Sequence, residues 1–318
     1  MWVYPRLSSS DVPFGTFCLF LGLSMSVTAF PVLARILTDF QLQKTQLGVV
    51  AISCAAVGDV TAWCLLALVV SVAQSTLGSA WRTAVLSVGY VLGVVLLLRP
   101  LLLRLVRTQD VRHHLSTRTI ATVFVALLLS AFTTELIGIH ALFGAFLVGA
   151  IIPHDSFLAR ALKLRLEDVV VVLLLPMFFA FTGMRTEIGL VRGLGDWAIC
   201  GALLAAAVVG KFGGSAVAAR LSGLGWRDSA SVGVLMNTRG LMELIVLNIG
   251  LDLKLISPTL FAMLVIMAIV TTLATAPVLQ VLLADRALEE RSAEAGTERL
   301  AHSARYARGA RSSPATGR

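Results

Sequence analysis

Charge is scarce in this sequence: 26 Lys and Arg and 18 Asp and Glu are spread over 318 residues, 14% of the chain. Soluble domains carry about 25%, so the shortage excludes an ordinary water-facing globule. Cysteine is scarce as well. Cys18, Cys54, Cys64 and Cys200 stand inside apolar stretches with no CxxC pair, which excludes a disulfide framework or thiolate metal site and reads them as small buried hydrophobes. There is no phosphate loop, no GxGxxG, no Ser-His-Asp pattern and no metal-ligand cluster. No catalytic residue, metal or cofactor is therefore assigned, and no enzyme reading has a foothold. Residues 1–13 lack the apolar core of a cleavable signal peptide and hold Pro5, Arg6, Asp11 and Pro13 instead.

What the chain does have is apolar length. Hydrophobic residues make up 57% of it, in runs without the alternation of a membrane β-barrel, so helices are expected: lipid demands that every backbone group be satisfied internally. A helix needs about 20 apolar residues to cross the bilayer. Nine spans are expected, near residues 14–37, 47–72, 84–105, 120–136, 139–153, 169–184, 197–219, 230–250 and 259–283. The fold class is thus an all-α polytopic membrane protein. The chain divides into an external segment 1–13, a transmembrane domain 14–284, and a tail 285–318 rich in Glu, Arg, Ser and Ala that reads as solvated and disordered.

The net charge of +8 sits mostly in short loops and the tail, so nucleic acid is not an expected partner. Lys44, Arg104, Arg107, Arg112, Arg118, Arg160, Lys163, Arg165, Arg220 and Arg227 fall in one set of loops; Arg6, Arg82, Arg185, Arg192 and Lys254 fall in the other. The bias places the first set and the C-terminus in the cytoplasm, and the N-terminus outside. An external N-terminus without a signal sequence hints at helices upstream.

Ionisable residues inside a membrane are costly and therefore candidates for function. Four stand out: Asp59 in the second span, Lys211 in the seventh, and Arg239 and Glu243 in the eighth. An Asp59–Lys211 pair that only fixes helix packing is one reading; proton-coupled ion binding is the other, favoured because a buried pair is a poor device for stability. Two spans also carry helix-breaking sequence. The first has Pro31 in SVTAFPVLAR, residues 26–35, and the eighth has Asn237, Thr238, Arg239, Gly240 and Glu243 inside an apolar run. Pro31 alone would be a kink. Paired with the second break, it points to unwound backbone lining a cavity, where half-helix ends bind ions. Glu135 and His140, beside a tight turn, read as interfacial; His113, His114, His154 and Asp155 read as loop or membrane-edge groups. The glycines at 144, 149, 210, 213 and 214 read as close helix-packing positions.

Five stretches resemble the monovalent cation:proton antiporter-2 family, the sodium/hydrogen exchanger-type transporters: residues 26–37 (SVTAFPVLARIL), 58–67 (GDVTAWCLLA), 138–149 (GIHALFGAFLVG), 175–184 (LPMFFAFTGM) and 236–246 (MNTRGLMELIV). The resemblance covers residues 14–283 in order. It implies an inverted-repeat fold in which two crossed, broken helices meet beside an ion-binding aspartate. Asp59 would be that carboxylate, taking H⁺ or a cation in turn, with Thr28 to Pro31 forming one break and Asn237 to Gly240 the other. Lys211 would stand on the helix before the second break, neutralising Asp59 until a cation displaces it. The implied activity is exchange of Na⁺ or K⁺ for protons by alternating access, in a homodimer of the cell membrane. A non-transporting fragment or scaffold subunit is the alternative.

The chain departs from the family twice. Gly58 stands where the family has Asp, Asn or Gln before the carboxylate, and the sequence starts just before the first broken helix, so the domain is expected to lack N-terminal helices.

Overall fold

The computed structural model describes residues 4–8, 12–74, 80–112, 116–138, 141–153 and 155–283. The tail 285–318, along with His113, His114, His140 and His154, lies outside the described residues. Among the described residues there is no strand. In chain order the helices are α1 (Phe14–Ser26), α2 (Phe30–Asp39), α3 (Gln46–Gln74), α4 (Val85–Arg107), α5 (Thr117–Ile137) and α6 (Ala141–Ile151). They continue with α7 (Phe157–Asp168), α8 (Leu175–Arg185), α9 (Gly193–Leu221), α10 (Trp226–Met236), α11 (Leu241–Asp252) and α12 (Pro258–Leu283).

Among the described residues six spans are long and apolar enough to cross a bilayer: α1 with α2 as Phe14–Asp39, then α3, α4, α5, α9 and α12. The pair α10 and α11, bent by 44° at its break, supplies a seventh. The expected count of nine is not reproduced. The span at 139–153 falls on α6, which has 11 residues. The span at 169–184 falls on α8, which a π-helical turn, Val169–Leu174, joins without interruption to the charged α7.

The core follows α12, half of whose most apolar stretch is buried. Phe261, Met263, Leu264 and Met267 are fully enclosed and pack in one cluster with Phe20, Leu23, Val246 and Leu247. The flanking spans are the reverse: Leu96, Leu97, Leu128 and Val172 are all more than 60% exposed. Apolar side chains pointing outward are what a hydrocarbon solvent permits. The same reversal corrects the cysteine reading. Only Cys200 is buried, whereas Cys18, Cys54 and Cys64 are exposed on outward helix faces, because inside a bilayer an apolar stretch no longer has to mean burial. Glycine sets the closest packing where α6 lies on α5: a Cβ on Gly144 would stand 2.3 Å from the Ser130 carbonyl oxygen. Ser130 Oγ donates there to the Gly144 carbonyl at 2.8 Å.

Part of the expected external segment is packed rather than free. Tyr4–Leu7 forms one helical turn, the Tyr4 ring meets Phe14 and Phe17 edge-on, and the Leu7 carbonyl accepts the Ser257 N–H at 3.0 Å just before α12.

Candidate functional site at the helix crossing

Two interrupted helices meet in the middle of the fold. The first stops at Ser26, Val27 turns extended (φ −64°, ψ 137°), and α2 restarts at Phe30. Pro31 stands in the first turn of α2, where its missing N–H leaves no bond unmade. Pro31 therefore starts the second half-helix, and the break lies upstream of it. The other interruption runs from Asn237 to Gly240, the residues immediately before and after which end α10 and begin α11. The two breaks bond to each other: Ala29 N–H donates to the Thr238 carbonyl at 3.0 Å, and Thr28 Oγ1 donates to the Met236 carbonyl at 3.1 Å. Gly240 is the contact point. A Cβ there would be 3.0 Å from Val32 Cγ2 and 3.1 Å from Ala29 Cβ.

A helix ending inside a membrane leaves carbonyls without partners and a partial negative charge. At the end of α1 all four last carbonyls are met. Ser26 Oγ donates to the Leu23 carbonyl at 2.8 Å. The Arg239 guanidinium donates to those of Ser24 (3.4 Å) and Met25 (2.8 Å), and Lys211 Nζ to that of Ser26 at 2.5 Å. Two cations thus close one half-helix end. Glu243, in the first turn of α11, accepts from Arg239 at 3.0 Å, and both side chains are wholly buried. Thr272 on α12 holds the backbone of Arg239 from both sides, accepting its N–H at 3.0 Å and donating to its carbonyl at 2.8 Å. Sequence reasoning missed Thr272; its only signal is the polar triplet Thr271, Thr272 and Thr275 in an apolar span.

Lys211 lies in a π-helical turn, Val209–Gly213, that interrupts α9. Such turns insert a residue and shift the register, and they recur at functional positions. Asp59 lies mid-way along α3 and is partly buried, with Oδ1 enclosed and unpartnered. Asp59, Arg239 and Glu243 all lie within electrostatic reach of Lys211. Asp59 and Lys211 nevertheless form no ion pair, since the ammonium is turned to the Ser26 carbonyl. The four charges sum to zero: two cations on the α1 terminus, one carboxylate locked to Arg239, and one carboxylate with an oxygen free.

Beside this group is a cavity of about 440 Å³ lined by Thr28, Gly58, Lys211, Ser215, Met25 and Met236, among others. Of the residues singled out from sequence, Thr28, Lys211, Asn237, Thr238, Arg239, Gly240 and Glu243 are brought together at or against the crossing. Pro31 is one turn away and exposed. Glu135 is not part of the crossing; its carboxylate accepts the Ala141 N–H at 2.9 Å across the α5–α6 turn.

Residues 12–284 match the family model described as "Sodium/hydrogen exchanger, transmembrane". The chain is 43% identical over 276 residues to the Na(+)/H(+) antiporter NhaS4 of Synechocystis sp., covering 86% of this chain and 67% of that protein. It is 39% identical over 269 residues to Cation/H(+) antiporter 19 of Arabidopsis thaliana (84% and 34%). Against K(+)/H(+) antiporter 1 of Saccharomyces cerevisiae the identity is 34% over 279 residues (86% and 32%). The chain spans two thirds of the length of the first and about one third of the other two. The match runs through both helix breaks, Asp59 and Lys211, and on it the chain belongs to the sodium/hydrogen exchanger family of membrane proteins.

Proposed function

We propose that residues 14–284 form a transporter domain that exchanges a monovalent cation, Na⁺ or K⁺, for protons across the membrane by alternating access. The observation that carries this reading is the enclosed, unpartnered oxygen of Asp59, a carboxylate within electrostatic reach of Lys211 and next in sequence to Gly58, which lines a cavity together with Lys211 and Thr28. A lone carboxylate in a low-dielectric site must take a proton or a cation. Thr28 supports it: its hydrogen is committed to Met236, leaving the oxygen lone pairs to accept a cation. Lys211, held on the Ser26 carbonyl, supplies positive charge near Asp59 without occupying it. Arg239, Glu243 and the Asn237–Gly240 break keep the crossing neutral and open. Gly58 offers no side-chain ligand, so coordination beyond Asp59 falls to Thr28, backbone carbonyls and water. The names of the relatives, which cover Na⁺, K⁺ and unspecified cations, support the substrate class. In this reading the protein is a multi-pass homodimer of the cell membrane with its C-terminus in the cytoplasm, following the Lys and Arg bias.

The test is proton release from acid-loaded everted vesicles on addition of Na⁺ or K⁺, followed by a ΔpH dye. Dequenching by the chain as it stands and none by Asp59→Asn is the expected result. Equal dequenching from both would remove Asp59 from the mechanism, and none from either would favour the non-transporting scaffold.

A further inference from the structure

A second polar cluster lies away from the crossing, between α8 and the far part of α11. Arg185, the last residue of α8, donates through Nη1 to Asn248 Oδ1 at 3.0 Å and through Nη2 to Asp252 Oδ1 at 2.5 Å. Its guanidinium also stands 5.2 Å from the Phe181 ring centroid. Asn248 Nδ2 in turn donates to Thr182 Oγ1 at 3.1 Å and to the Leu244 carbonyl at 2.9 Å. Four side chains of two helices are thereby bolted together, and Asn248 and Thr182 are buried. Asn248 and Asp252 are one turn apart on α11, so both point to the same flank of the helix. Asp252 lies about 18 Å along the helix from Gly240 at 1.5 Å per residue. The cluster therefore stands near the membrane face where α11 ends.

Between this cluster and the crossing is a cavity of about 380 Å³. Thr182, Thr186 and Leu244 line it toward the cluster, and Arg239, Gly240 and Thr272 toward the crossing. Thr182 belongs to both the cavity wall and the cluster. Arg239, which lines the cavity, and Glu243, bonded to it, each keep one buried polar atom without a partner, Nε and Oε2, two atoms that water would satisfy. The outer bond differs in kind from the Arg239–Glu243 pair. The side chains of Arg185 and Asp252 are 24% and 56% exposed, so water competes for them and the bridge opens at small cost.

We propose that the Arg185–Asn248–Asp252 cluster is a releasable gate: closed, it seals this cavity from the membrane face where α11 ends, and open, it admits water toward Arg239 and Glu243. The idea rests on the exchange reading, because a gate on one face matters only if the crossing is reached from both. It adds to that reading a second approach, through a cavity that shares no lining residue with the one beside Lys211.

The experiment is accessibility of Leu244→Cys to a membrane-impermeant maleimide, applied to either face of sealed vesicles, in the full chain with Cys18, Cys54, Cys64 and Cys200 replaced by alanine. Labelling from the α11 face is expected to be slow with Arg185 in place, severalfold faster in Arg185→Ala and in Asp252→Asn, and slow again in the swap Arg185→Asp with Asp252→Arg. Should Arg185→Ala fail to give monodisperse protein, Asp252→Asn, which deletes only a charge, is read in its stead. Unchanged labelling in both single variants overturns the gate, and so does faster labelling that the swap does not reverse, since that means general loosening. Labelling needs no ion flux. A gate response alongside exchange that ignores Asp59→Asn would thus sink the exchange mechanism and leave the gate; the converse pattern would do the opposite.

Discussion

Removing Arg239 should cost far more than removing its acidic partner, and the asymmetry is a test of what the arginine holds. Arg239→Ala deletes the bond to Glu243 and the two bonds to the end of α1. It leaves a carboxylate with no solvent exposure and no bonded counter-charge, since Lys211, the nearby cation, is held on the Ser26 carbonyl. Breaking a buried pair from one side costs about 3–5 kcal/mol, and an orphaned buried carbonyl about 1–3 kcal/mol more. The 3.4 Å contact to Ser24 is too long to add much, and Glu243 limits its own penalty by taking a proton. The expected loss is about 5 kcal/mol. Glu243→Gln leaves Arg239 its carbonyls and the negative end of the α1 dipole, so about 2 kcal/mol is expected. In Arg239→Ala with Glu243→Gln no buried charge is stranded, and the double variant should recover about 2 kcal/mol relative to the sum of the singles. The assay is reversible denaturation in mixed micelles, run as a double-mutant cycle. Additivity within about 0.5 kcal/mol, or Arg239→Ala costing no more than Glu243→Gln, would refute the view that Arg239 caps α1 while paired to Glu243.

Two glycine substitutions probe the packing. Gly144→Ala places a methyl carbon 2.3 Å from the Ser130 carbonyl oxygen and 2.7 Å from Ala131 Cα, backbone atoms that cannot rotate away; α5 and α6 should separate, with loss of folded protein in size-exclusion profiles, and a normal profile would contradict that contact. Gly240→Ala meets only a 3.0 Å approach to Val32 Cγ2 and a 3.1 Å approach to Ala29 Cβ. It should lower stability by about 1–3 kcal/mol and be partly rescued by Val32→Ala, which removes the closer atom; absence of rescue would place the strain elsewhere.

Much of the crossing was legible because polarity inside an apolar run is conspicuous. Asn237, Thr238, Arg239, Gly240 and Glu243 mark a break wherever the fold puts it, since an uninterrupted membrane helix has no use for five such residues in seven positions. The break at Thr28 to Pro31 was legible from the proline taken together with the second break, although the chain interrupts upstream of Pro31, which stands in the first turn of α2. Other parts were not legible. Thr272 looks like any threonine of a membrane helix, and Arg185 was counted only as a loop charge, because a residue's partner on a distant helix leaves no local mark. The count of nine spans is not confirmed at α6 and at the α7–α8 joint, where length alone does not separate a short crossing from a half-buried helix.

The sequence by itself determined the solvent and the class: a chain so poor in charge and so rich in long apolar runs can satisfy its backbone in lipid only as helices, and its few intramembrane charges had to be gathered away from hydrocarbon. Only the tertiary structure decided how those charges are shared. It put Lys211 on the carbonyl of Ser26 instead of on Asp59, gave Arg239 both the end of α1 and Glu243, and left one Asp59 oxygen without a partner. The physical reason is that a half-helix end is a partial charge made by backbone, invisible in residue identity, and it competes for cations as effectively as a carboxylate once two helices break at the same depth.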